Sequence, residues 1–483
     1  MSEVLEDIAD IDELAPLHAQ IAAALPADWT LETLGSLCEK SQYGWTTKAD
    51  KSGTGVKFLR TTDITPGTVD WSTVPYCVEA PSDLEKYLIK DGDILISRTG
   101  SIGVNYLVVK PESAVFASYL IRFRPKTSIS TKYLKYYLQS PAYWRAINTG
   151  KKGIAVQNVN ATMLSRIPVP VAPPPVQDEI VAELEKQFSR LDEAVANLQR
   201  VKANLKRYKA AVLKAAVEGR LVETEATLAH CDGRTYETGE QLLQRILEER
   251  RANWAGKGKY KELEPPVLDG LNPLPGGWAY ATTEQMCEQI ASGSTPSPEA
   301  MFSGVGDVPF LKVYNLTFDG SLDFTLKPTF VSNATHLGML ARSRSVPGDV
   351  LMNIVGPPLG KVSIVPTAYP EWNINQAIVT FRTSSGLVNQ LLAHWLLARP
   401  VLSRLERTAK ATAGQHNLQV STCRKLPIPV PPLAEQKRIV AEVDRHLSIV
   451  REVEAEVDAN LQRAQALRQA TLAKAFGIEG RQI

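Results

Sequence analysis

The chain is written twice, and this duplication limits its architecture more than any single motif does. Leu25-Pro26, closed by Trp29, reappears as Leu274-Pro275 closed by Trp278. Phe58-Leu59 matches Phe310-Leu311, Gly92-Asp93-Ile94-Leu95 matches Gly348-Asp349-Val350-Leu351, and Ile167-Pro168-Val169-Pro170 matches Leu426-Pro427-Ile428-Pro429. The steps between landmarks are 34, 34 and 75 residues in the first copy and 37, 38 and 78 in the second, so small insertions separate the copies. From Ile167 onward, nine of 22 positions are identical at a fixed offset of 259. Such a period far exceeds the roughly 20–45 residues of a solenoid unit, so each copy is a whole domain with its connector.

Each copy divides into two physical parts. The first carries short apolar runs, such as Asp93–Ser97, Val104–Val109 and Val350–Asn353, between Gly, Pro, Asn and Ser breakers. This predicts strands and loops with a few helices. Thr131–Asn148 reads as one helix, with Asn389–Thr408 as its counterpart, and Tyr133, Tyr136, Tyr137, Tyr143 and Trp144 read as core. The second part opens after a proline run, Pro173–Pro175 or Pro431-Pro432, and is a long helix. Ile180, Leu184, Phe188, Leu191, Val195, Leu198, Val201, Leu205, Tyr208 and Val212 recur at steps of three or four. Ile439, Val443, Leu447, Val450, Val453, Val457, Leu461, Ala464, Leu467 and Thr471 do the same. A narrow seam sustained this long needs a partner helix, so the two pair as antiparallel rods of ~65 Å. Gly219 ends the first rod, and Leu221–Gly270 reads as a polar surface connector with a short helix over Gly239–Asn253.

Across 483 residues, 44% hydrophobic and 22% charged, no run reaches the ~18 apolar residues of a membrane span, and Met1–Leu25 is acidic rather than leader-like. Five scattered cysteines without CxxC spacing support neither a disulfide framework nor a zinc ribbon. The expectation is a soluble protein of the reducing cytoplasm. A net charge of +2 hides two basic islands. Ser113–Pro175 holds nine bases and no acid, and Trp372–Ala434 holds seven bases against Glu406 alone. Positive stretches at corresponding places in a repeat predict a polyanionic partner.

Catalytic motifs are missing. The six histidines stand far apart without Cys, Asp or Glu at metal-ligand spacing. Gly356–Lys361 lacks the loop length and the Ser or Thr of a phosphate-binding loop, and Gly100-Ser101-Ile102-Gly103 reads as a turn. No Gly-rich cofactor loop pairs with an Asn/Asp-Pro-Pro-aromatic tetrapeptide. No catalytic residue, metal or cofactor is assigned to this chain.

Together, the twin Leu-Pro-x-x-Trp openings, the segment Ile94–Gly103, the proline runs ending in Gln177 and in Glu435-Gln436, and the duplicated rods resemble the specificity subunit of type I restriction-modification systems. The likeness covers nearly the whole chain and departs at Val176, where the first copy lacks the Glu that precedes Gln. It implies an α+β fold with two tandem α/β-mixed target recognition domains, separated by two long helices in an antiparallel coiled coil, with a pseudo-two-fold repeat. The expected division is an acidic helical segment at 1–25, recognition domains at 26–171 and 273–430, rods at 172–221 and 431–476, a connector at 222–272 and a tail at 477–483.

The resemblance further implies a noncatalytic subunit that reads a bipartite duplex, with the rods as a ruler between half-sites. It implies two methylation subunits using S-adenosylmethionine and motor-nuclease subunits using ATP and Mg. Bases on loops would take phosphates, and polar side chains would take base edges. In the first domain the candidates are Lys57, Arg60, Thr61, Arg98, Thr99, Lys151, Lys152, Gln157 and Asn158. In the second they are Lys312, Asn315, Asn353, Lys361, Lys410, Gln415, His416 and Asn417. A coiled-coil adaptor whose flanking domains bind protein is the alternative.

Overall fold

Apolar runs and proline breaks build the same strand systems in both copies. The computed structural model describes residues 14–149, 158–256, 258–356, 358–412 and 415–477. Two compact units divide the chain, Met1–Gln199 with Asp458–Ile483, and Arg200–Val457. Among the described residues no helix is long and apolar enough to cross a membrane.

In the first unit, Thr30–Thr33 pairs antiparallel with the proline-rich Pro168–Val171. A central four-stranded sheet runs in the order Gln42–Tyr43, Leu120–Phe123, Ile94–Ser97, Asn105–Leu107. A second sheet joins Lys57–Leu59 in parallel to Ala114–Phe116. The second unit repeats each system. Ala279–Thr282 pairs with Pro427–Val430. The central sheet runs Cys287–Ser292, Ile378–Thr383, Val350–Asn353, Val362–Ile364, and Val308–Leu311 lies parallel to Trp372–Ile374. Identical ionic anchors brace the two central sheets. Buried Asp93 accepts two bonds from Arg124 at 2.7 and 2.9 Å, and buried Asp349 accepts two from Arg382 at 2.9 and 2.8 Å.

The aromatic helix is two helices in each copy. Thr131–Tyr137 and Pro141–Thr149 meet at Pro141, and Asn389–Leu397 and Arg399–Thr408 meet beside Pro400. Proline has no N–H for the preceding turn and its ring clashes with that turn's carbonyl, so the predicted single helix breaks there. Its aromatics fill the core as expected, with Tyr133, Tyr137 and Tyr143 fully buried.

The long helices span Pro174–Val217 and Leu433–Ala475. In the first unit they run antiparallel, Arg468 meeting Asp192 at 2.7 Å and lying over the Phe188 ring, while Leu472 shares a core with Leu184. In the second unit Tyr208 Oη meets His446 Nδ1 at 2.6 Å. The seam is covered unevenly. Leu184, Phe188, Ile439 and Val443 are buried, as are Leu447, Val450, Val457 and Ala464 of the second helix, whereas Val201, Tyr208, Val453 and Leu467 are exposed, because a two-helix pair shields only a narrow stripe.

The glutamine after each proline run is a clamp. Gln177 accepts the Ser130 N–H at 2.9 Å and donates to the Ala172 carbonyl at 2.8 Å. Gln436 accepts the Val388 N–H at 3.0 Å and donates to the Gly386 and Pro431 carbonyls at 2.9 and 3.0 Å. Glu435, present only in the second copy, accepts the Trp278 indole N–H and the Glu225 N–H, each at 2.8 Å. Burial pushes its carboxyl pKa up. Val176 stands at this place in the first copy.

The bond from Glu225 to Glu435 corrects the reading of 221–270 as a plain surface segment. The expected helix is present as Gly239–Ala252, but a further helix, Glu225–Asp232, precedes it. Leu242 and Ile246 enter the second core. The segment ahead of each recognition module is also held by equivalent cations. Arg145 donates to Gln20 of the helix Ala15–Ala24 at 3.3 Å, and Arg404 donates to the Gly270 carbonyl at 3.1 Å. Leu17 and Ile21 of that helix pack into the first core, and residues 1–13 of the acidic segment lie outside the described residues.

Candidate nucleic-acid interface

At one end of each central sheet the chain leaves the strands in the same way. In the first unit the Arg98 N–H donates to the Tyr119 carbonyl at 2.9 Å, and the Val159 N–H donates to the Arg98 carbonyl at 3.2 Å. In the second, the Ile354 N–H donates to Ala377 at 2.8 Å, and Leu418 donates to Ile354 at 2.8 Å. Gly44 and Gly293 complete the frame. A Cβ on Gly44 would lie 2.2 Å from the Ala117 carbonyl oxygen, and one on Gly293 2.0 Å from that of Ile374, so only glycine admits this approach.

This frame brings Arg98 and Asn158 together, 60 residues apart in sequence. Arg98 Nε donates to Asn158 Oδ1 at 3.3 Å, and the guanidinium carbon sits 5.1 Å from the centre of the Tyr43 ring. Tyr43 is fixed in turn by the Ala161 N–H, which donates to its hydroxyl at 2.9 Å. Tyr43 and Tyr119 are exposed, and no carboxylate pairs with Arg98 among the described residues. Thr99 is half-buried beside them, its carbonyl accepting the Ser97 hydroxyl at 2.9 Å.

In the second unit, Lys410–Thr412, Gln415–Asn417 and Val355–Gly356 form a three-stranded ribbon. Lys410 faces Asn417 in register, and His416 faces Gly356. The structure describes Lys410, Gln415 and His416 as strand positions, and Asn417 is exposed. Nearby, Lys361 Nζ donates to the Val313 carbonyl at 3.1 Å and lies 5.7 Å from the centre of the exposed Phe318 ring. Lys312 is half-buried and makes no ion pair among the described residues.

Other candidates belong to the scaffold. Lys57 is buried, pairs with Glu112 at 3.0 Å and bonds the Trp71 carbonyl. Arg60 grips Asp63 through two bonds of 3.0 and 2.8 Å, and the Thr61 hydroxyl is buried. Asn315, fully buried, donates to the Asp323 and Leu326 carbonyls at 2.9 and 3.0 Å. Asn353, also fully buried, donates to the Val355 and Pro358 carbonyls at 3.0 Å each and accepts the Lys361 N–H. Amides whose donors and acceptor are spent on backbone shape loops and have none left for a base edge. Lys151, Lys152 and Gln157 lie outside the described residues.

The basic islands are corrected as well, because acids from elsewhere in the chain fold against them. Arg124 meets Asp93 and Glu39, Lys132 meets Glu185 at 2.8 Å, Arg424 faces Glu284 at 3.7 Å, and Lys425 meets Glu264 at 2.7 Å. Tyr43 and Tyr119 escaped sequence reasoning. The Tyr43-Gly44 and Ser292-Gly293 correspondence could have exposed the first, but no neighbouring identity anchors that alignment.

Comparison with known proteins follows the same division. The profile of the family described as type I restriction modification DNA specificity domain matches residues 26–206 and again 275–462. The chain is 23% identical over 429 residues to the type I restriction enzyme EcoBI specificity subunit of Escherichia coli, covering 87% of this chain and 79% of that one. It is 22% identical over 472 residues to the EcoKI specificity subunit of Escherichia coli strain K12, covering 94% and 90%. A solved chain from work on complex assembly and conformational transition of the type I R-M system shares the fold. Its TM-score is 0.61 at 19% identity, over 94% of this chain and 98% of that one.

Proposed function

The chain belongs to the type I restriction-modification DNA specificity family, and from that premise we propose that it is the noncatalytic subunit that reads a bipartite duplex for the whole complex. The observation that carries this reading is that the family profile falls on the chain twice, once on each recognition module. Each module would read one half-site, with the length of the two long helices setting the number of base pairs between them. Phosphates would be met by cations without carboxylate partners among the described residues, Lys312 and Lys361 among them, and by the ribbon that carries Lys410.

The partners are methylation subunits, two per chain, and motor-nuclease subunits. In this reading S-adenosylmethionine, ATP and Mg belong to those partners, and base flipping happens on the methylation subunits. The exposed apolar side chains Val201, Tyr208, Ile449 and Val453 on the long helices are suited to covering by partner helices.

Binding of the full chain, alone and with its methylation subunits, to pooled genomic duplex fragments tests the proposal. Affinity should fall steeply with salt, a log–log slope of roughly −0.9 for each phosphate neutralised. Absence of a shift, or a shift indifferent to salt, favours the protein-binding adaptor instead.

A further inference from the structure

Where duplicated modules keep a backbone frame and change its side chains, the changed positions mark what each copy does differently. The ends of the two central sheets are such a place. The same backbone hydrogen bonds and the same close-approach glycine recur, at Gly44 and Gly293. On this shared frame the first copy carries Tyr43, Arg98, Tyr119 and Asn158, and the second carries Ser292, Ile354, Ala377 and Asn417. The asparagine alone is common to both. Ile354 is buried, so the second copy presents no cation where the first presents Arg98.

Arg98 Nε is engaged by Asn158, and its guanidinium carbon lies 5.1 Å from the centre of the Tyr43 ring, so the side chain is held by two neighbours. Its terminal amino groups meet no carboxylate among the described residues. A planar cation held beside a tyrosine ring, with its two terminal amino groups unpaired by carboxylates among the described residues, matches the two acceptors, O6 and N7, that guanine presents in the major groove. Arg122, on the adjacent strand, is spent on the Leu88 carbonyl and the Phe116 ring, and Arg124 on Asp93. Neither can substitute.

Resting on the DNA-reading function above, we propose that Arg98 reads a guanine in one half-site, with Tyr43 and Asn158 as positioning residues. The second module, having Ile354 at the equivalent position, reads its half-site without this contact. The asymmetry of the target is thus written into one end of one sheet.

The experiment is selection of bound sequences from a randomised duplex pool by the full chain, compared with Arg98→Ile and Arg98→Lys. Arg98→Ile installs the second copy's residue, and Arg98→Lys keeps the charge but loses the fork. Both should lower the preference for guanine at one position by roughly 5- to 150-fold and leave the other half-site unchanged. If either variant lowers affinity equally for every sequence with the base preferences intact, Arg98 meets a phosphate and the proposal fails. The proposal also fails if Arg98→Lys melts like the parent and keeps the guanine preference. A parent chain that selects no bipartite sequence brings down the DNA-reading function itself, a distinct result from the loss of one position.

Discussion

Arg124 and Arg382 belong to the most basic stretches of the chain, yet each is spent on a buried aspartate of its own sheet. Charge counted along a sequence is a poor guide to charge on a surface, because folding brings acids from other stretches within a few ångströms. Glu371 shows the same pairing in a form that can be titrated. Arg344 and then His336, the latter 3.0 Å from Oε2, hold its carboxyl below the ordinary carboxylate pKa of 4.5. A depressed carboxylate contributes stability that is present above the unfolded pKa and lost as pH falls through the folded one. Glu371→Gln should therefore flatten the acid side of the stability profile of the second unit, as the pH falls below the ordinary carboxylate range. Urea midpoints across that fall in pH measure it, and a slope equal to the parent's would refute the pairing. Arg98 and Asn158 were named among the candidates from the sequence, whereas the burial of Lys57, Asn315 and Asn353 could not be read there. An amide that shapes a loop and one that faces solvent look alike in sequence.

Among the elements, the long helices announced themselves through an apolar step sustained for ten positions, and the glutamine after each proline run was visible as a motif. Its task became clear only in three dimensions. Gln177 links the start of the first long helix to the start of the helix Thr131–Tyr137 through Ser130. Gln177→Ala would leave the Ser130 N–H and the Ala172 carbonyl without partners, destabilising the first unit by about 2 kcal/mol. Gln436→Ala, which removes three bonds, should cost more. Denaturant midpoints of the two variants test the order, and unchanged midpoints would show that water replaces the amide. The single helix expected over Thr131–Asn148 was misread because aromatic spacing continues through Pro141 while the hydrogen-bond ladder cannot.

At the scale of the molecule, each unit is assembled from chain segments far apart in sequence. The first core is closed by Leu472 and Phe476, whose ring lies 5.1 Å from that of Tyr133 and 5.3 Å from that of Tyr137. The second core takes Val212, Leu213 and Ala216 from the end of the first long helix. Each end is turned off by a left-handed glycine, Gly219 at φ +65° and Gly477 at φ +67°. Phe476→Ala should destabilise the first unit by about 3–5 kcal/mol and leave the second untouched. Hydrogen exchange resolved along the chain reads this directly. Loss of protection around Tyr133 but not around Trp395 is the expected pattern, and uniform loss would mean that the two cores fold as one.

Sequence alone determined the duplication, the mixed α+β modules and the long apolar seams, because periodicity and spacing are properties of order along a chain, and the resemblance it carries pointed to the family. Tertiary structure decided which charges are cancelled, which polar groups are spent inside, and which strand end carries an arginine on a tyrosine. Those outcomes depend on distances between residues remote in sequence, and one-dimensional order does not encode such distances until the chain has packed.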